Sequence, residues 1–539
     1  MINHLAQLLK VRDCCLVKPT EFGPSLLISK RKLKSTRLTD LVLSAIIRRF
    51  GQFSGSTLPV NIVVYRREVD LVAYYDVVIV GAGPAGIFTA LELKKLAPEK
   101  SVLLVDEGLT IDRRACPARK TGRCVHCKPC NIMSGWAGAG AFSDGKLSLS
   151  EEVGGNIVDY MDRDKARELI AYADGVYTRF GAPNKVHGLS DKKVEEIDYE
   201  CSRHGIHLIR CPVRHMGTEY SFETLRNMYR HLAKQPGFTF RELTRAESLR
   251  VENARVTGVV LATREGTETV EAGAVVAAPG RGGADWLSRV ARENGLETRN
   301  NEVDIGVRVE VPNAVMDHLT RYLYEAKMVY YSDTFETKVR TFCMNPGGIV
   351  SEEHYDGGIA VVNGHSYAEE ERRTSNTNFA MLVSSRFTEP FDRPIEYGRY
   401  IAQLGNMLTG GGIMVQRLGD LLQGRRTDAD RLSRSTTVPT LTTAVPGDLS
   451  FVLPHRHLTS IIEALRAFDK VAPGMYSKNT LLYGVEVKFY SCKVSVDRRF
   501  ATALPGLYAI GDGAGITRGL MQASVTGVVV ARDIAGGGQ

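Results

Sequence analysis

A short β-branched run, Tyr75-Asp76-Val77-Val78-Ile79-Val80, leads directly into Gly81-Ala82-Gly83-Pro84-Ala85-Gly86 and then into a helix-forming stretch over residues 87–96. An unbroken apolar run of this length reads as a strand buried on both faces, the kind found in parallel sheets. The six residues after it carry G-x-G-x-x-G spacing. Gly81 permits a tight turn, Gly83 lets the backbone approach a pyrophosphate, and Gly86 lets helix and strand pack closely. Pro84 and Ala85 open the helix, whose first amides and dipole face the phosphates. A second strand over 101–105 ends at Asp106-Glu107, where an acid can accept hydrogen bonds from ribose hydroxyls. Strand, turn, helix, strand and acid in register point, against the alternative of a nucleotide-free structural βαβ, to a βαβ unit that binds a dinucleotide. They do not say which one.

The C-terminal segment decides. Leu504-Pro505-Gly506-Leu507-Tyr508-Ala509-Ile510-Gly511-Asp512-Gly513 reads as a turn, a buried strand and an acid entering a glycine-rich helix start. It resembles the second FAD motif of glutathione-reductase-like flavoproteins, in which the acid binds the ribityl chain. Val275-Val276-Ala277-Ala278-Pro279-Gly280-Arg281 resembles the strand and turn by which those proteins cross under the nucleotide. Further stretches, among them GWAGAGAFSDGKL from Gly135, TFCMNPGG from Thr341, VVNGHS from Val361 and YGVEVKF from Tyr483, resemble a family of bacterial and archaeal FAD-dependent dehydrogenases with their own C-terminal domain type. The resemblance covers residues 74–535 and implies FAD binding and an oxidoreductase, without a substrate.

The expected fold is α/β: a Rossmann-like FAD-binding domain of glutathione-reductase type with an inserted second α+β domain. Residues 74–150, 225–285 and 480–539 are assigned to the FAD domain, with an antiparallel meander before Val275. Residues 151–224 and 286–479 are assigned to a substrate or cap domain. Residues 1–73 are expected to form a basic extension, poorly ordered, ahead of a fold that begins near Tyr74. No second G-x-G-x-x-G unit follows a strand, which argues against a dedicated nicotinamide domain. NAD(P)H as a transient donor, or an electron-transfer protein, stays open as a partner.

Net charge matters only through its location. Of the formal +8, +7 falls in residues 1–70, so the remaining chain is close to neutral. This argues against a nucleic-acid partner for the flavin-bearing body. A flavin-dependent RNA-modifying enzyme, prompted by the basic N-terminus, is the competing enzyme class. A non-catalytic flavin and cysteine redox sensor is the other alternative. No apolar run approaches the ~20 residues needed to span a bilayer. The N-terminus lacks the layout of a secretory signal, and ten cysteines without one suggest a reducing, cytoplasmic setting.

Four of those cysteines, Cys116, Cys124, Cys127 and Cys130, fall within fifteen residues on a cationic loop after the second strand. Three readings stay open: an iron–sulfur cluster relaying electrons to the flavin, a structural zinc, or a Cys124–Cys127 redox pair. For the flavin-side chemistry, Gly138, Gly140 and Ala141 form a glycine-rich loop expected against the cofactor, followed by Asp144 and Lys146. A lysine near the flavin can stabilise a reduced anion. His215 and His365 are the proton-transfer candidates, since histidine titrates near neutrality. Arg308, within an alternating stretch, is the candidate for an acidic substrate group. The substrate itself is expected to be a small molecule.

Overall fold

The computed structural model describes residues 72–536, apart from 118–124, 126, 190, 356–357, 368–369, 388–389 and 392. The basic extension and Cys124 therefore lie outside the described residues. Two sheets, each with its own apolar core, divide the rest.

The first sheet grows from the strand that opens the sequence argument. Ala73–Val80 pairs in parallel with Val102–Val105 on one side and with Gly266–Ala277 on the other. Phe238–Arg241 extends the first edge, and Leu507–Ala509 adds a further parallel strand beside Gly266–Ala277. Val77 to Ile79 and Val102 to Leu104 are fully buried, as their unbroken apolar runs require. The meander is present as Arg245–Glu252, Arg255–Thr263 and Gly266–Ala277, antiparallel in sequence order. Its third strand does not stop before Val275; it continues as the parallel partner of Ala73–Val80. One strand thus joins the meander to the nucleotide layer.

Helix Pro84–Leu96 covers this sheet and crosses helix Leu520–Ile534 closely. A Cβ at Gly527 would fall on the Ala85 carbonyl, so only glycine allows that approach. Helices Arg163–Arg179 and Gly217–Leu232 also bury their apolar faces in this first core, through residues such as Leu169, Tyr177, Leu225 and Met228. The packing therefore carries residues 163–179 with the nucleotide layer and does not split at residue 150.

The second sheet is mostly antiparallel, built around Val303–Pro312, Asn376–Ser385 and Leu481–Lys488. Leu481–Lys488 pairs along Val303–Pro312 and buries Leu482, Val485 and Val487 in the second core. The return to the nucleotide domain thus comes after this strand, later than residue 480. Hairpin Ile349–Tyr355/Ile359–His365 completes the wall that faces the first domain. The architecture is mixed α/β, with a Rossmann-like nucleotide layer and a second α+β domain. No helix among the described residues is long and apolar enough to cross a membrane.

Candidate functional site

A cleft of about 1630 Å³ runs between the two sheets, and the sequence-distant motifs meet along it. At one end stands the glycine turn. Gly81 has φ +103°, and a Cβ there would collide with the Ala278 carbonyl. Gly83 differs: its φ is −74°, and nothing of the protein lies within 4 Å of an added Cβ. That Cβ would enter the cleft, so the space beside Gly83 is reserved for something other than the chain. The helix start at Pro84 has no side-chain cap, which leaves its first amides to a ligand. Gly511 approaches the same helix, its would-be Cβ 3.1 Å from Ala85 Cβ, and Gly513 packs on the Gly280 carbonyl. An extended dinucleotide fits this cradle: anionic phosphates at the uncapped helix, with the turns at 280 and 511–512 along its length.

The expected cofactor residues divide accordingly. Gly81, Gly83, Pro84, Ala85, Glu107, Gly138, Gly140, Gly280, Gly511 and Asp512 face the cleft. Gly86 and Gly513 lie behind it, close against neighbouring backbone, and Ala141 is buried in the first core. Asp106 also faces the cleft, but its carboxylate accepts from the amides of Ala82 (2.9 Å), Gly108 (2.9 Å) and Gly135 (2.6 Å). Three of roughly four acceptor positions are thereby taken, so Asp106 clamps the turn and keeps one acceptor position for the cleft. Asp512 accepts from Thr517 Oγ1 (2.6 Å) and lies 3.4 Å from Arg281. Burial raises its carboxyl against the pull of that arginine.

The glycine-rich loop is a 3₁₀ turn, Gly138–Phe142, against the nucleotide helix. Arg114 organises it. This buried guanidinium donates to the carbonyls of Asn131, Ile132, Trp136 and Gly138 and sits 4.9 Å from the Phe142 ring centroid. Burial draws its pKa down to about 10. Nothing in the sequence marks Arg114 off from the other cations of the cysteine loop.

At the cleft floor Lys146 joins the domains. Its Nζ donates to Met344 O (2.6 Å) and Asn345 Oδ1 (2.8 Å), and pairs with Asp144 and Glu325, each at 2.9 Å. Glu325 also binds Lys327 at 2.6 Å. Burial disfavours these charges singly, but Lys146 and Lys327 hold Glu325 at about 2, and the carboxylates keep Lys146 charged. Lys146 is therefore an interior charge and not a solvated surface lysine. Glu325 and Lys327, two charges inside the apolar run at 322–331, are the signal the sequence reading passed over.

Of the proton-transfer candidates, His365 faces the cleft and His215 does not. His215 lies one layer back, paired in the sheet with Lys146 and stacked on Tyr324 at 4.5 Å, its Nε2 3.0 Å from the Tyr324 hydroxyl. Burial pushes its pKa to about 4, so the ring is neutral at pH 7. Arg308 corrects the expectation made for it. Its guanidinium is fully buried, bidentate to Glu486 at 2.8 and 2.9 Å, and bonded to Asn378 Oδ1 at 2.8 Å. It does not line the cleft, because the alternation of its strand turns it into the interior polar network.

Cys116, Cys127 and Cys130 all line the nucleotide end of the cleft as free thiols. Among the described residues no three Cys, His, Asp or Glu side chains converge as a metal centre, and Cys124 lies outside them.

Comparison with known proteins gives two domain matches. Residues 177–302 match the FAD binding domain, and residues 302–489 match a domain described as FAD-dependent protein, C-terminal domain-like. The glycine turn lies ahead of both matched ranges. A Clostridium beijerinckii protein named only as uncharacterized is 27% identical over 478 residues, covering 85% of this chain and 80% of its own. Similar solved structures include L-proline dehydrogenase from P. horikoshii, at 12% identity and TM-score 0.38 over 87% of this chain and 95% of that one. Pyridoxine 4-oxidase from Mesorbium loti gives 12% identity and TM-score 0.39 over 85% and 99%. E. coli quinol fumarate reductase FrdA gives 14% and 0.37 over 86% and 70%. With a match to an FAD binding domain running directly into a match to the C-terminal domain of FAD-dependent proteins, the chain is an FAD-binding flavoprotein.

Proposed function

We propose that the protein is a dehydrogenase or reductase of a small organic molecule, held between the glycine loop and the Ile349–Tyr355/Ile359–His365 hairpin. One observation carries this reading: a single continuous cleft is lined both by the dinucleotide turns and by polar side chains of the second domain, including Lys146, Cys343, Asn363 and His365. Bound FAD supplies reversible two-electron exchange. The chain supplies the rest. Gly83 and the uncapped helix at Pro84 hold phosphates, and the Gly138–Phe142 turn, stapled by Arg114, shapes one wall. Lys146 is a fixed positive charge at the floor, kept protonated by Asp144 and Glu325. Matched by those two carboxylates, it acts by positioning: its bonds to Met344 and Asn345 hold the second domain against the glycine loop. His365 is placed to take or return the substrate proton, and neutral His215 orients Tyr324 behind that surface.

The test is to load the full-length protein with FAD and screen small-molecule donors and NAD(P)H anaerobically, following loss of flavin absorbance. The reading predicts rapid bleaching by at least one small molecule, slowed in His365→Ala and Lys146→Met. Bleaching that both variants leave unchanged would contradict these assignments.

A second reading is favoured by the cysteines on the cleft wall. The Cys124–Cys127 pair, of which Cys124 lies outside the described residues, would give up two electrons and two protons on becoming a disulfide, with FAD, when bound, as the acceptor. Cys127→Ser separates the two: reduction by a small-molecule donor persists under the first reading and fails under the second.

A further inference from the structure

Most cations along the cleft are matched by carboxylates. Arg281 lies 3.4 Å from Asp512. Lys488 lies 3.0 Å from Glu486 and 3.9 Å from Glu353. Arg340, just behind, pairs with Asp304 at 2.5 Å. Arg518 is different. It lines the cleft, half-buried, with its guanidinium 3.8 Å from the centroid of the Tyr490 ring, and among the described residues no carboxylate lies within ion-pair reach of it. Asp512 feels both Arg281 and Arg518, but Arg281 takes the ion pair with it and also faces Glu353, which leaves Arg518 without a carboxylate of its own.

The Arg518 guanidinium is firmly held. Tyr490 donates to Asp304 at 2.5 Å and accepts from Arg340 at 3.0 Å, which fixes the ring under Arg518. The Arg518 amide donates to Gly154 O at 2.8 Å, anchoring the backbone. A guanidinium stacked on an immobilised ring keeps its in-plane N–H fork open, the geometry that takes an oxyanion in two parallel hydrogen bonds.

We propose that Arg518 binds an oxyanion, a carboxylate or phosphate, of the small-molecule substrate. The substrate is therefore anionic. This rests on the flavin reading above, since it places that anion in the same cleft. The shared chemistry has a second source, the phosphates of FAD itself, and the experiment separates them.

FAD content is measured first, on the full-length protein and on Arg518→Gln and Arg518→Lys, so that failure of the flavin reading shows as missing flavin. Succinate, acetate and inorganic phosphate are then titrated into each FAD-loaded protein by calorimetry. The expected result is saturable binding of at least one anion to the parent, weakened at least about tenfold in Arg518→Gln and less in Arg518→Lys, with FAD content unchanged. Absence of saturable binding in the parent, or equal affinity in Arg518→Gln, would overturn the proposal. Loss of FAD from Arg518→Gln would overturn it too, by assigning the guanidinium to the cofactor phosphates. Should Arg518→Gln not fold, Arg518→Lys decides alone: affinity equal to the parent's refutes a forked contact.

Discussion

Gly83→Ala separates the cost of a side chain to the fold from its cost to the ligand. The backbone there, φ −74° and ψ −178°, is ordinary for alanine, and the new Cβ would meet no protein atom within 4 Å. Replacing glycine narrows the unfolded ensemble and stabilises by about 0.4–1 kcal/mol. Alanine is a poorer N-cap than glycine by a similar amount, roughly 0.5–1 kcal/mol. The two nearly cancel, so the melting temperature of the FAD-free variant should stay within about 2 °C of the parent's. The ligand has no such compensation. A methyl group where the pyrophosphate approaches displaces at least two charge-assisted hydrogen bonds, about 3 kcal/mol together, so FAD affinity should fall about 100-fold. Gly81→Ala is the contrast: at φ +103°, with the Ala278 carbonyl in its path, alanine should lower the melting temperature itself. Fluorescence titration with FAD and thermal melts of the FAD-free proteins read both quantities. Parental FAD affinity in Gly83→Ala would refute the placement of phosphate at this turn.

Three further outcomes follow from buried charge. Arg308→Met leaves Glu486 without its bidentate partner; Lys488 at 3.0 Å compensates in part, so a loss of about 3 kcal/mol is expected in urea unfolding. An unchanged midpoint would mean Arg308 is not structural. His215 and His457 are both pushed to about 4 by burial, from an ordinary 6.5, and are neutral in the folded state. Below pH 6.5 the unfolded chain binds more protons, so stability is full above that pH and falls as pH drops toward 4, by about 2 kcal/mol per histidine at pH 5. Glu325, held at about 2, adds nothing to the slope in this window, and a His457→Gln variant should show a shallower loss between pH 7 and 5 in urea titrations at each pH.

What could be read in advance followed from local rules. The strand at 75–80, its glycine turn and the Asp512 segment are legible because steric and hydrogen-bonding demands of phosphate and turn fix residue types at fixed spacing. The meander was visible through its alternation. Less visible were the residues whose roles depend on contacts across the fold. Arg308 sits on an alternating strand, but alternation cannot tell a solvent-filled cleft from a polar interior, and only Glu486, 178 residues away, decides. Likewise Arg114 is one of several cations on its loop until the fold brings four carbonyls around it. Residues 163–179, assigned to the substrate domain, bury their apolar face in the first core, a pairing that no local pattern specifies.

The most direct test of the central claim is the flavin itself. The full-length protein is purified, incubated with excess FAD, freed of unbound cofactor and denatured, and the released flavin is identified and counted by chromatography. The account predicts FAD, near one per chain. A chain that retains no FAD after this treatment, or that retains only FMN, would contradict it.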